Sequence, residues 1–167
     1  MVWIPGGSGM LGRHIAEKCT AAGIGYISTD IDLDITESGA VSEFVRKNRF
    51  SWIVNCSAYT AVDLAEDEKD KAFAVNAEGI RNIAEACKGS GTKIIHFSTD
   101  YIFPGNKPGG FTENDATGPE GVYGASKLEG ERFLSSIYNN FFIFRISWLY
   151  GPYGKNFVHT MLSLFGQ

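Results

Sequence analysis

Tyr123 and Lys127 stand four residues apart in "GVYGASKLEGE", a spacing that stacks both side chains on one face of a helix. A free tyrosine, with a pKa of roughly 10, moves protons poorly at neutral pH. A nearby ammonium favours the phenolate and brings the phenol towards acid–base use. Because Y-x-x-x-K arises often by chance, the pair gains meaning only from what else the chain brings to the same place. The stretch "STDY" supplies hydroxyls at Ser98 and Thr99, and Tyr123 follows Thr99 by 24 residues. A hydroxyl, a phenol and an ammonium beyond a dinucleotide loop make a working set for carbonyl reduction.

That loop is "GGSGMLG". Gly7, Gly9 and Gly12 fit G-x-G-x-x-G, and Gly6, Gly9 and Gly12 fit G-x-x-G-x-x-G. Both patterns meet one need: a tight turn, close backbone approach to a pyrophosphate, and close packing of helix on strand. A P-loop is excluded, because Arg13 and His14 stand where Lys and Ser/Thr are required. Asp30 closes the second strand segment 18 residues after Gly12, where an acid accepts from ribose hydroxyls. The following "IDLDIT" adds two carboxylates and no cation, so NAD(H) is favoured over NADP(H). "NCSAYTAVD" brings Cys56, Ser57 and Ala58 to a strand end, small enough for a flat cofactor to lie against the backbone.

The elements that must carry these residues alternate in period. Strand-like "MVWIPGG", "IGYISTD", "SWIVNCSA", "KIIHFSTDYIF" and "FFIFRISWLYG" are separated by helical "LGRHIAEKCTAAG", "TESGAVSEFVRKN", the long "EKDKAFAVNAEGIRNIAEACKGSG" and "VYGASKLEGERFLSSI". The pattern implies an α/β Rossmann-type doubly wound parallel sheet in three α-β-α layers, built from right-handed crossovers as one domain over 1–167. "FPGNKPGGFTENDATGPEG" is the one long loop, read as a surface excursion beside the chemistry. Ligands of such sheets bind at the carboxyl ends of the strands.

With 167 residues, 44% hydrophobic and 20% charged, the chain suits a globular domain with a sizeable core, and its net charge of −4 argues against nucleic acid as partner. No apolar run spans a bilayer and the N-terminus has no signal-peptide pattern, so the expected setting is cytoplasmic, without a membrane partner. Cys19, Cys56 and Cys87 show no metal-ligand spacing and read as small buried side chains, so no metal is expected. Other features have plainer readings. Pro5 is tolerable only at the end of its strand. His96 points inward as a structural residue, and His14 and His159 lie on helix surfaces. Asn76 faces the sheet and orders water or backbone near the site. Arg145 pairs with a core acid or reaches a phosphate. "AEDEKDK" is a solvated helix start.

In "GGSGMLG", "DLDIT", "VNCSAYTAVDLAE", "VNAEG", "HFSTDYIFPG", "VYGASKLEGE" and "RISWLYGPYGKNFVHTML", the chain resembles the dTDP-4-dehydrorhamnose reductase family of extended short-chain dehydrogenase/reductases over nearly its whole length. The resemblance implies hydride transfer to C4 of a dTDP-4-keto-6-deoxyhexose, giving dTDP-L-rhamnose. By position, Tyr123 would protonate the C4 oxygen, Lys127 would lower the phenol's pKa and bond the nicotinamide ribose, and Thr99 would bond the reacting oxygen. Gly6, Gly9, Met10, Leu11 and Gly12 would hold the pyrophosphate, with Asp34 and Ile35 on the adenine side and Ser57, Ala58 and Tyr59 along the cofactor's middle. Tyr101, Phe103 and Trp148 would meet the sugar nucleotide. The family carries a further, smaller substrate domain, so this chain is expected to bind cofactor with little turnover. The resemblance leaves room for a homodimer. Two other readings stand beside it: a non-catalytic, cofactor-binding regulatory subunit, and another sugar-nucleotide epimerase or dehydratase. Retention of Thr99, Tyr123 and Lys127 favours an enzyme, and the lack of a glutamate after "TD" favours a reductase.

Overall fold

A computed structural model describes residues 1–166. Five short strands, β1 (Val2–Pro5), β2 (Tyr26–Thr29), β3 (Trp52–Asn55), β4 (Lys93–Thr99) and β5 (Phe141–Ile146), pair in parallel in the order β2-β1-β3-β4-β5. The chain leaves β1 for β2 on one side and returns across it to β3, which creates a switch point between β1 and β3. Pro5 is the last residue of β1; it gives β3 no N–H, and its carbonyl still accepts from Cys56 N at 2.9 Å.

Helices α2 (Ser38–Asn48), α4 (Gly79–Ala86) and α5 (Val122–Ile137) bury Val41, Val45, Ile80, Ile83 and Leu134 in one core with Trp3, Ile53 and Ile94. Helix α1 (Met10–Ala21) packs on β1 and β2, with Cys19 against Val2, Ile4 and Val54. The central strand β1 is buried at all four positions, as a parallel sheet covered on both faces requires, whereas the edge strand β5 leaves Phe142 and Phe144 exposed. Helix α6 (Phe157–Phe165) follows β5 and has no buried residue. Among the described residues, no helix is long and apolar enough to cross a membrane.

The long helix expected over "EKDKAFAVNAEGIRNIAEACKGSG" differs in detail. Leu64–Glu66 is a separate 3₁₀ turn, α3 covers Lys69–Phe73, and the run reaches α4 through a π-helical turn at Ala74–Glu78. Packing is close at this turn. The backbone carbonyl of Asn76 lies so near Gly130 of α5 that a side chain at Gly130 would strike it. The wider turn also aims the Asn76 side chain at the strand ends. Asp30 lies one residue past β2 rather than closing it.

Candidate functional site

The glycine loop is shaped by contacts only glycine allows. Gly6 has φ +75°, and a Cβ there would sit 2.5 Å from Ser57 N. Without a side chain, the loop lies directly against the end of β3. Gly9 caps α1 with no side-chain hydrogen bond, leaving the amides of the first turn, Met10, Leu11 and Gly12, without intrahelical acceptors. Such a helix start favours an anion such as a pyrophosphate. Asp30 accepts from Ser8 N at 3.0 Å and also from the Ser8 hydroxyl, so its carboxylate is fastened to the loop.

Two clefts meet along the strand ends. The first, about 380 Å³, is lined by Gly6, Gly9, Asp30, Asp34, Ile35, Cys56, Ser57 and Ala58, together with Ser8, Leu33 and Val75. Ile35 is mainly a core residue that reaches the cleft by one edge. The second, about 520 Å³, shares Gly9, Cys56, Ser57 and Ala58, and is lined further by Met10, Leu11, Ser98, Thr99, Tyr101, Tyr123, Lys127 and Trp148. An outer cleft continues past Tyr101, Tyr123 and Trp148 to Phe103. Sixteen of the expected site residues therefore surround one continuous groove from the glycine loop to Tyr123, with Phe103 on its outer wall and Gly12 packed beneath the loop.

Tyr59 departs from expectation. Its hydroxyl donates to Glu68 Oε2 at 2.8 Å and its ring packs with Ala65 and Ala72, so the side chain turns away from the groove. Its backbone is held instead. Asn76 Oδ1 accepts from Tyr59 N at 2.9 Å, and Asn76 Nδ2 donates to Tyr59 O and to Ser126 Oγ, both at 3.0 Å. Ser126 in turn donates to the Tyr123 carbonyl at 2.8 Å. One buried amide thus fastens the 57–59 strand end to the first turn of α5. The reading that Asn76 orders backbone is the one its geometry supports.

Tyr123 lies in the first turn of α5, half-buried, with Tyr101 edge-on at 5.7 Å between ring centroids. Burial raises its pKa above the usual phenol value; the Thr99 hydroxyl pulls it back, and Asp100 and Tyr101 push it up. Lys127 is 2% exposed and donates to the Phe97 carbonyl at 2.5 Å. Burial pulls its pKa down to about 8, with the Glu131 carboxylate opposing. In this structure the Lys127 ammonium donates to a backbone oxygen, and burial outweighs the neighbouring groups in setting the Tyr123 phenol.

Behind Lys127, His96 is 1% exposed and pairs through Nδ1 with Asn55 Nδ2 at 3.2 Å. Asn55 Oδ1 accepts from Ser57 N, so Asn55 Nδ2 faces the imidazole and Nε2 carries the ring hydrogen. Burial, then the Lys127 charge, hold His96 well below its ordinary pKa, which keeps it neutral. Burial also pushes the Cys56 thiol up to about 12, leaving it unreactive. Arg145 resolves in favour of a core acid: it makes a forked pair with Glu131 at 2.7 and 3.1 Å.

Sequence reasoning missed Glu66, whose Oε1 accepts from Val122 N at 2.8 Å and so caps α5 from 56 positions away. It also missed Ser8, although a hydroxyl inside a glycine loop facing a strand-end acid was a usable signal.

A parallel sheet with its switch point at a glycine loop, and a groove leading from that loop to Tyr123, define a doubly wound protein of the extended short-chain dehydrogenase/reductase type. The family model described as the RmlD substrate binding domain matches residues 1–167. The chain is 43% identical to a dTDP-4-dehydrorhamnose reductase of Streptomyces griseus, over 96% of this chain and 54% of that one. It is 48% identical to one from Sinorhizobium fredii, over 80% of this chain and 45% of that one. The crystal structure of a Bacillus anthracis dTDP-4-dehydrorhamnose reductase in complex with NADP superposes with TM-score 0.94 at 43% identity, covering 98% of this chain and 58% of that one. The chain belongs to the RmlD family, that of the dTDP-4-dehydrorhamnose reductases. It spans about half the length of the curated relatives it matches.

Proposed function

We propose that the chain is the cofactor-binding half of a reductase that converts the 4-keto group of a dTDP-6-deoxyhexose to an alcohol, as in dTDP-4-dehydrorhamnose to dTDP-L-rhamnose. The observation that carries this reading is the convergence of Thr99, Tyr123 and Lys127 on one cleft that runs from the glycine loop.

The residues fit a nicotinamide dinucleotide. The bare Gly6 approach and the open first-turn amides of α1 suit its pyrophosphate, and Asp30, Asp34 and Ile35 suit its adenosine end. Bound there in reduced form, the cofactor supplies a hydride to the carbonyl carbon. The chain's own contribution is the proton and its placement. Tyr123, kept neutral by burial, gives its phenolic proton to the oxygen as negative charge develops on it. Thr99 donates to the same oxygen and holds it in register. Lys127, on the same cleft and helix face, supplies the positive charge that offsets the phenolate left behind.

NAD(H) is the favoured cofactor. Asp30 and Asp34 line the adenosine end of the cleft, and Asp32 lies between them in sequence, so a 2′-phosphate there meets negative charge with no cation among the cleft's described residues to pair it. The NADP complex of the Bacillus anthracis relative makes that preference the sharpest point to test. Fluorescence titration of this chain with NADH and NADPH tests both levels. Saturable binding with tighter NADH is expected. Tighter NADPH would overturn the preference, and no binding of either would overturn the cofactor site.

A further inference from the structure

Arg145 lies on β5, outside the groove, yet its guanidinium touches three separate parts of the fold. It forks onto Glu131 of α5, with Nη2 to Oε2 at 2.7 Å and Nε to Oε1 at 3.1 Å. Its Nη1 donates to the Glu113 carbonyl at 2.9 Å. Its Cζ lies 5.2 Å from the centroid of the Phe103 ring. Phe103 in turn stacks on Phe111 with centroids 4.7 Å apart and planes 9° from parallel. The segment between them is closed on itself by Lys107 and Asp115 at 2.7 Å. Glu131 is 6% exposed and stands four residues beyond Lys127 and eight beyond Tyr123, on the same helix face.

A guanidinium with two bonds to one carboxylate, one to a carbonyl and a stacked ring has little freedom left. With Glu131 buried and Arg145 half-buried, the pair adds little net stability, so its presence calls for a positional reason. Here that reason is visible in what the pair joins. One partner sits on the helix that carries Tyr123 and Lys127. The other holds the segment that begins at Phe103, the outer wall of the cleft.

We propose that Arg145 and Glu131 are positioning residues for the sugar-nucleotide side of the cleft: the guanidinium fastens the segment Phe103–Asp115 to α5, fixing the outer wall relative to Tyr123. The proposal rests on the reading of that outer cleft as the sugar-nucleotide site. It assigns neither residue contact with substrate; both act through Phe103 and its segment.

The test is amide hydrogen exchange, together with titration by NADH and by dTDP, on the full gene product that carries residues 1–167. Two variants are used: Arg145→Lys, which keeps the charge and loses the fork, and the double variant Glu131→Leu/Arg145→Met, which leaves no unpaired buried charge. Residues 103–115 should exchange at least about tenfold faster in both variants, while β1, β3 and β4 exchange as in the parent. Affinity for dTDP should fall about tenfold, with NADH affinity unchanged. Parent-like exchange of 103–115 in the double variant, or in Arg145→Lys, would overturn the fastening. Faster exchange with undiminished dTDP affinity would overturn the positioning role. A parent chain that binds neither NADH nor dTDP would instead overturn the reading of the cleft on which the role depends.

Discussion

Lys127 gives the sharpest quantitative test of the buried arrangement. Its pKa falls from 10.5 to about 8 because burial opposes the ammonium. At about 1.36 kcal/mol per pKa unit, that corresponds to roughly 3 kcal/mol against the folded state when the lysine is charged. The sign follows from proton counting. Below pH 8 the lysine is protonated folded and unfolded, and the full cost is present. Between about pH 8 and 10.5 the unfolded chain holds more protons than the folded one, so this group's contribution to stability rises with pH. Above that range the cost is gone. Lys127→Met removes the titration and also the bond to Phe97 O, itself worth roughly 1.5–3 kcal/mol as a charge-assisted bond. The two effects are of similar size at pH 7, so the absolute difference there is small. The informative quantity is how the difference between parent and variant changes with pH. Urea unfolding at pH 7, 8, 9 and 10 should show the parent gaining about 2–3 kcal/mol on Lys127→Met across the range. A difference that stays constant within about 0.5 kcal/mol would refute the claim that burial depresses this lysine.

Three further outcomes are expected. Gly6→Ala places a methyl 2.5 Å from Ser57 N at a φ of +75°, and should weaken NADH binding by more than about tenfold in a fluorescence titration. Asn76→Ala removes three buried hydrogen bonds and should cost roughly 2–4 kcal/mol in urea unfolding. His96 is held neutral well below its ordinary pKa, so the unfolded chain binds its proton first as pH falls. Stability should therefore drop below about pH 6.5 in the parent and drop less steeply in His96→Gln, as read from thermal melts between pH 7 and 5.

What the sequence carried and what it did not divide along physical lines. Helices α1, α2 and α5 were legible because each buries one face at the helical period, and the strands because each is a short, largely apolar run bounded by turn residues. The groove was legible because a parallel sheet brings residues 6–12, 56–58, 98–99 and 123–127 to one edge, whatever the loops do. The π turn at Ala74–Glu78 was not, since one extra residue per turn leaves the apolar pattern on either side intact. The direction of Tyr59 was not, because it is set by Glu68 and Asn76, partners 9 and 17 positions away. Arg145 could be read either way until Glu131 was found opposite it. The partner of Lys127 was hidden for a related reason. Spacing puts two side chains on one face but says nothing of the Phe97 carbonyl that takes up the ammonium.

The central claim is that Tyr123 is the proton donor of a carbonyl reduction carried out in this cleft. The direct measurement is turnover of a dTDP-4-keto-6-deoxyhexose by Tyr123→Phe, in the full gene product that carries residues 1–167, followed by nicotinamide absorbance. Loss of turnover by at least about a hundredfold, with NADH affinity within about twofold of the parent, is the predicted result. Turnover that survives the loss of the hydroxyl would contradict the account.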